Sequence, residues 1–122
     1  MQRPLRAIRG ATTVDHDSPA DIYPRVQELL SAILERNVVH HDDLVSVFFT
    51  ATPDLVSCFP AAAAREIGFG DIPLICATEI DVAGATPQCI RVMVQAYSET
   101  SRADIHHIYL HGARGLRDDL PE

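Results

Sequence analysis

The stretch Leu5-Arg6-Ala7-Ile8-Arg9-Gly10-Ala11-Thr12-Thr13-Val14 has alternating β-branched residues and runs into the turn-forming Asp15-His16-Asp17-Ser18. It therefore reads as a strand over residues 5–14. Strand periodicity points Ile8 opposite to Arg9, and the same-side neighbours of Arg9 are Ala7 and Ala11. These are too small to cover the sheet, so the spacing predicts room beside the guanidinium. Bare sheet around a charge suggests a ligand.

From this strand outward, Ser18, Pro19 and Asp21 form a helix-start signature. Ile22, Val26, Leu29, Leu30, Ile33 and Leu34 follow at helical spacing, up to a stop at Asn37. Pro24 fits poorly inside this helix, which predicts an irregular first turn or a later start. Residues 44–50 read as a mostly buried strand, and residues 51–55, with Pro53-Asp54, as a loop. A short helix is expected from Pro60 through Ala61 to Ala64, ending at Gly68-Phe69-Gly70. Residues 72–77 form a short apolar strand, residues 78–87 a connection, and residues 88–97 the longest strand. The last of these carries Ile90, Val92, Val94 and Ala96 on one face and Cys89, Arg91, Met93 and Gln95 on the other. Residues 105–111 read as a final strand with Tyr109 on the face of His107 and His111. Two helices cannot cover both faces of such a sheet, so one face is expected to pack against another subunit. The expected fold class is α+β, a mixed sheet with two covering helices.

The whole chain has 122 residues, one domain by length, with 17 acidic residues against 10 basic ones and a net charge of -7. All the basic residues are arginine. Absence of lysine excludes Schiff-base lysine chemistry and a P-loop, and the acidic balance argues against a nucleic-acid surface. Three cysteines, Cys58, Cys76 and Cys89, lack the spacing of a disulfide framework or a zinc site. With no apolar N-terminal run and no membrane-length segment, a soluble cytoplasmic protein is expected.

Metal and nucleophile readings are weak. His107 and His111 lie about 13 Å apart if extended, too far to share an ion. A Cys76–His107 nucleophile has no local signature in its support. Arg9 and Arg91 are the stronger signal, because a guanidinium within a strand must find anions or acceptors. Internal pairing with Glu79, Asp81 or Glu66 would explain either one alone. Two together, one flanked by alanines, propose a site for a small organic anion, since planar forks suit carboxylates. By default Glu79 is a cap, Phe59 core or staple, Arg65 a surface residue, Tyr109 a core tyrosine and Arg117 part of a loose tail.

These residues also occur as a pattern. The strand Arg6 to Val14 is followed in order by Ala51-Thr52-Pro53-Asp54-Leu55, Phe59-Pro60-Ala61, Ala64-Arg65-Glu66, Cys76, Glu79-Ile80-Asp81-Val82, Cys89-Ile90-Arg91-Val92-Met93, Tyr109-Leu110 and Leu116-Arg117. From Arg6 to Leu120 the chain resembles the monofunctional chorismate mutases of the trimeric mixed α/β class. The resemblance implies a homotrimeric pseudo-α/β barrel with active sites between subunits. It also implies the rearrangement of chorismate to prephenate on the route to phenylalanine and tyrosine, with no cofactor and no metal.

Carried over, Arg91 contacts the ether oxygen, Arg9 a substrate carboxylate, Glu79 and Cys76 the ring hydroxyl, and Tyr109 the side-chain carboxylate. Phe59, Arg65, Leu74 and Ile75 line the cleft, and a flexible tail over residues 112–122, with Leu116 and Arg117, closes it. Three departures stand out. Ala62 replaces a cleft-edge lysine of some relatives, Ile75 a threonine, and Asp118 a proline. Two rival readings use the same arginines: a non-catalytic carboxylate-binding module, and an imine-hydrolysing enzyme of a related trimeric fold.

Overall fold

The computed structural model describes residues 3–116. Five strands form one sheet: β1 (Leu5–Thr13), β2 (Leu44–Ala51), β3 (Leu74–Thr78), β4 (Cys89–Tyr97) and β5 (Ile108–Tyr109). Their order is β3-β2-β4-β1-β5. β4 lies antiparallel to both β1 and β2, whereas β3 joins β2, and β5 joins β1, in parallel. The helices α1 (Pro19–Asn37) and α2 (Pro60–Ala64) pack on each other and on a single face of the sheet.

Helix α1 begins where the sequence signals it. Ser18 is the N-cap, its hydroxyl accepting the Asp21 N–H at 3.3 Å, and Pro19 occupies the first turn. The helix runs through Pro24 without a break, contrary to the expected irregularity. The missing Pro24 N–H deprives only the carbonyl of Ala20, an exposed residue whose oxygen water can reach. Ile22, Val26, Leu29, Leu30 and Ile33 are buried against Ile8, Val47, Phe49, Ile90, Val92 and Val94 of the sheet. The helical and strand periodicities thus meet in one core. Buried Asn37 anchors the end of α1: its amide donates to the carbonyls of Ile33 and His106, at 2.9 and 2.8 Å, and its oxygen accepts the His106 N–H at 2.7 Å.

Two strands differ from expectation. β3 begins at Leu74 rather than at residue 72 and extends to Thr78. The last strand, expected over residues 105–111, is reduced to Ile108–Tyr109. His107 explains its late start: the imidazole Nδ1, not a backbone carbonyl, accepts the Arg9 N–H at 3.0 Å. After α2 the chain tightens into a π-type turn over Arg65–Phe69, so Arg65 sits at the helix end rather than mid-helix. Gly68, at φ 99°, stops the helix as expected.

The other sheet face carries no helix. Leu5, Phe48, Ile75, Met93 and Tyr97 stand exposed on it, between 37% and 57%. A small second cluster, formed by Ala11, Cys89, Tyr109 and Ala113 with Leu116 against it, covers only the end of this face near β5. Ala11 is therefore fully buried. Of the two alanines flanking Arg9 on β1 only Ala7 is uncovered, which corrects the symmetric gap read from the sequence.

A Cβ at Gly10 would lie 2.8 Å from the Ile108 carbonyl oxygen and 3.0 Å from methyls of both Leu29 and Ile33. Gly10→Ala should cost about 1 to 3 kcal/mol in urea unfolding, because helix and strand are locked there; an unchanged midpoint would mean that α1 has slack. Asp43 accepts from Arg3 at 2.6 Å and from the His40 N–H at 3.0 Å, and the Arg3 hydrogen bond above all holds its carboxyl below the ordinary 3.8. A lowered native value stabilises the fold above the unfolded value and is lost as pH falls through the native one. The stability gap between wild type and Asp43→Asn should therefore narrow between pH 5 and pH 3, and a constant gap would contradict the pairing.

Candidate active site

On the helix-free face the sheet register determines the site. Arg9 pairs with Met93, and Arg91 lies between Ala11 of β1 and Thr50 of β2. Side chains at these positions share one face, so the two guanidinia are diagonal neighbours, their strand positions about 7 to 8 Å apart. Glu79 follows β3 directly, its N–H bonded to the Ala51 carbonyl at 2.9 Å. That hydrogen bond carries the chain past the end of β2 and turns the Glu79 carboxylate onto the Arg91 face.

The carboxylate is held from two sides. Thr50 donates its hydroxyl to Glu79 Oε2 at 2.5 Å, and Arg91 Nε lies 3.6 Å from the same oxygen. Arg91 and Glu79 are 43% and 28% exposed, so their ion pair adds little stability by itself. Its effect is positional: Glu79 lies at Nε, on the stem side of the guanidinium. Among the described residues the Arg9 guanidinium meets no carboxylate. Together Arg9, Phe48, Thr50, Glu79, Arg91, Val92 and Met93 bound an open cleft of about 440 Å³. Two cations, one carboxylate and apolar walls suit an organic anion with a polar substituent.

Of the residues singled out from the sequence, the cleft brings together Arg9, Glu79 and Arg91. Tyr109, beside Ala11 in the register, is buried in the small cluster at the cleft's β5 end, with Leu116 packed against that cluster. Leu74 and Cys76 turn inward and pack on the main core, so the Cys76 thiol does not face the arginines. Between them Ile75 is exposed beside Phe48. Phe59, the N-cap of α2, is 68% exposed, and Arg65 at the other end of that helix is exposed too. Neither lines the cleft within the chain. Arg117 and Asp118 lie outside the described residues.

Thr50, Phe48 and Met93 were not singled out from the sequence. The alternation of residues 44–50 puts Phe48 and Thr50 on one face, but only strand pairing shows that this face is shared with Arg91.

A Cys76–His107 dyad is excluded by topology. β3 is separated from β1, to which His107 bonds, by three strand spacings, roughly 14 Å. Cys58 and Cys89 are packed residues whose thiols burial pushes above their usual value, the opposite of an activated nucleophile.

Comparison with known proteins places the chain in a family. Residues 5–120 match the family model for chorismate mutase type I. The chain is 44% identical over 117 residues to chorismate mutase AroH of Thermus thermophilus, covering 95% of this chain and 96% of the relative. It is 41% identical over 117 residues to chorismate mutase AroH of Bacillus subtilis (strain 168), covering 95% and 92%. A solved chorismate mutase from Clostridium thermocellum superposes with a TM-score of 0.87 at 44% identity, covering 89% of this chain and 97% of that one. Fold and sequence agree: this chain belongs to the type I chorismate mutase family and is an isomerase of that kind.

Proposed function

We propose that the chain converts chorismate to prephenate in the biosynthesis of phenylalanine and tyrosine, with Arg91 as the charge that lowers the barrier. The observation that carries this reading is a cleft bounded by two guanidinia, Arg91 beside Glu79 and Arg9 with no carboxylate among the described residues, whose lining holds no activated nucleophile. A Claisen rearrangement is unimolecular and pericyclic. It needs no nucleophile and no proton shuttle, but it needs a flexible enolpyruvyl arm held over the ring and a fixed positive charge where the breaking carbon–oxygen bond leaves negative charge.

Each residue then has a distinct task. Arg91 faces the ether oxygen, oriented by Glu79 and Thr50. Arg9 holds a carboxylate, while Glu79 and the Cys76 backbone meet the ring hydroxyl. Tyr109 binds the side-chain carboxylate, and Leu116 and Arg117 close over the cleft.

We propose further that the protein is a homotrimer whose helix-free sheet faces pack together, each cleft being completed by Phe59 and Arg65 of a neighbour, while Ile75, beside Phe48, lines it from the chain that carries the arginines. The exposed apolar residues of that face support this arrangement, as does the failure of Phe59 and Arg65 to reach the arginines within one chain. Three unpaired cysteines fit a reducing cytoplasm, and among the described residues no helix is long and apolar enough to cross a membrane.

Purified protein should deplete chorismate absorbance with prephenate as product, and absence of turnover above background would reject the reading. Arg91→Ala should lower kcat by two to three decades, about 3 to 4 kcal/mol of barrier, as loss of a preorganised donor does. An unchanged kcat would mean that Arg91 does not carry the charge stabilisation.

A further inference from the structure

Phe59 stands 68% exposed and outside both apolar clusters, yet the backbone that carries it is pinned on either side. The loop before it leaves β2 alongside β4: the Thr52 N–H donates to the Cys89 carbonyl at 3.0 Å, and the Thr52 hydroxyl accepts the Cys89 N–H at 3.0 Å. Asp54 accepts the Gln88 N–H at 2.9 Å, and Leu55 is buried in the main core. After Phe59 the chain is fixed again, because Pro60 is buried and the Phe59 carbonyl accepts the Ala62 N–H at 3.0 Å. Between these anchors lie the exposed Val56 and Ser57, the half-buried Cys58 and Phe59 itself.

Asp17 holds that interval. Its carboxylate accepts the Val56 N–H and the Ser57 N–H, each at 3.1 Å. Hydrogen bonding from the Ser57 side chain, then from the Val56 N–H, keeps the carboxyl below its ordinary 3.8, so it is ionised at neutral pH. Among the described residues no other side chain from outside the loop bonds to residues 56–59. Two acids close by are used locally: Asp15 pairs with Arg25 at 3.2 Å, and Asp21 accepts the His16 N–H at 2.9 Å. Asp17 instead reaches partners 39 and 40 residues along the chain. It precedes Ser18, the N-cap of α1, so the loop is fastened to the start of the helix that covers the core. Val56 and Ser57 lie at the surface, where water can replace the carboxylate as acceptor at small cost in stability, but water fixes no geometry. Loss of Asp17 therefore loosens the loop more than it destabilises the fold.

We propose that Asp17 is a positioning residue for Phe59: by clamping Val56 and Ser57 it presents the ring, already ordered, to the cleft of a neighbouring subunit. The inference rests on the reading of Phe59 as a wall supplied to that cleft. An apolar wall touches the substrate alike in the ground state and the transition state, so it contributes to capture rather than to the barrier. A mobile Phe59 has to be ordered as substrate binds, which raises KM and leaves kcat. Because Asp17 acts through the Phe59 of its own chain, its effect appears in the neighbour's cleft and not beside its own Arg91.

The test compares the assembled wild-type protein with Asp17→Ala and Asp17→Asn. Asp17→Ala should raise KM for chorismate roughly tenfold with kcat within about twofold of wild type. Asp17→Asn, which keeps one acceptor oxygen, should recover part of that loss. Asp17→Ala is then co-refolded with an equal amount of Arg91→Ala. Active clefts in the mixture take their arginines from Asp17→Ala chains, and about half of them take Phe59 from a chain with Asp17 intact, so about half of the activity should return to wild-type KM. Fluorine NMR of protein labelled with 4-fluorophenylalanine follows the ring itself, its line being assigned with Phe59→Leu. The Phe59 line should shift and sharpen in Asp17→Ala, while those of buried Phe49 and Phe69 stay. Unchanged KM in Asp17→Ala, a fall in kcat instead, a mixture with the KM of Asp17→Ala alone, or an unmoved Phe59 line would overturn the proposal. If Asp17→Ala does not assemble, Asp17→Asn decides by the same readouts. A Phe59 line that responds in a protein that does not consume chorismate would reject the mutase reading and leave the clamp standing.

Discussion

A guanidinium on a strand cannot be packed into a core without an anion, and two of them on one sheet face decide which side of this molecule the helices occupy. Arg9 and Arg91 stand on a face where no helix lies, while their strand neighbours Ile8, Ile90 and Val92 are sealed beneath α1. Burying either arginine unpaired would cost several kcal/mol, more than any single core contact returns. The apolar face and the charged face are thus two consequences of one alternation. The open cleft that Arg9 and Arg91 bound lies on the second.

That face is organised by few contacts. Thr50 and Arg91 are cross-strand neighbours, and Glu79, delivered by the end of β3, bonds to one and pairs with the other. The Glu79 carboxylate beside Nε limits the freedom of a long side chain, and a charge held in place before reaction is the preorganisation an electrostatic catalyst requires. An acidic surface and a chain without lysine fit such a site, because capture of a dianion then depends on arginines concentrated in one place. Ala62, where some relatives carry a lysine, leaves that concentration to Arg9 and Arg91.

Much of this was legible in the sequence. The alternation around Ile8 and Arg9, the period of α1 from Ile22 to Ile33 and the two faces of β4 all follow from local pattern, and the structure agrees with each. What was not legible depends on partners distant in sequence. The late start of β5 arises because a side chain, His107, accepts a bond that periodicity assigns to the backbone. Burial of Ala11 comes from Tyr109 and Ala113, nearly one hundred residues away, and Thr50 gains meaning only when β2 is placed beside β4. Pro24 misled because a proline rule for helix interiors was applied where the deprived carbonyl belongs to an exposed residue. Phe59 and Arg65 could be named only through the family resemblance, since no pattern in the chain links them to the arginines.

The separation of these two groups is the central claim: one chain carries the arginine half of each cleft, and the half with Phe59 and Arg65 comes from a neighbour. Mixing tests it most directly. Arg91→Ala and Arg65→Ala, each weakly active alone, would be co-refolded in equal amounts and assayed for chorismate turnover. Random assortment of subunits should restore roughly a quarter of wild-type activity, in clefts that combine the two intact halves. A mixture no more active than the average of its parents would contradict shared clefts and place both halves of the site in a single chain.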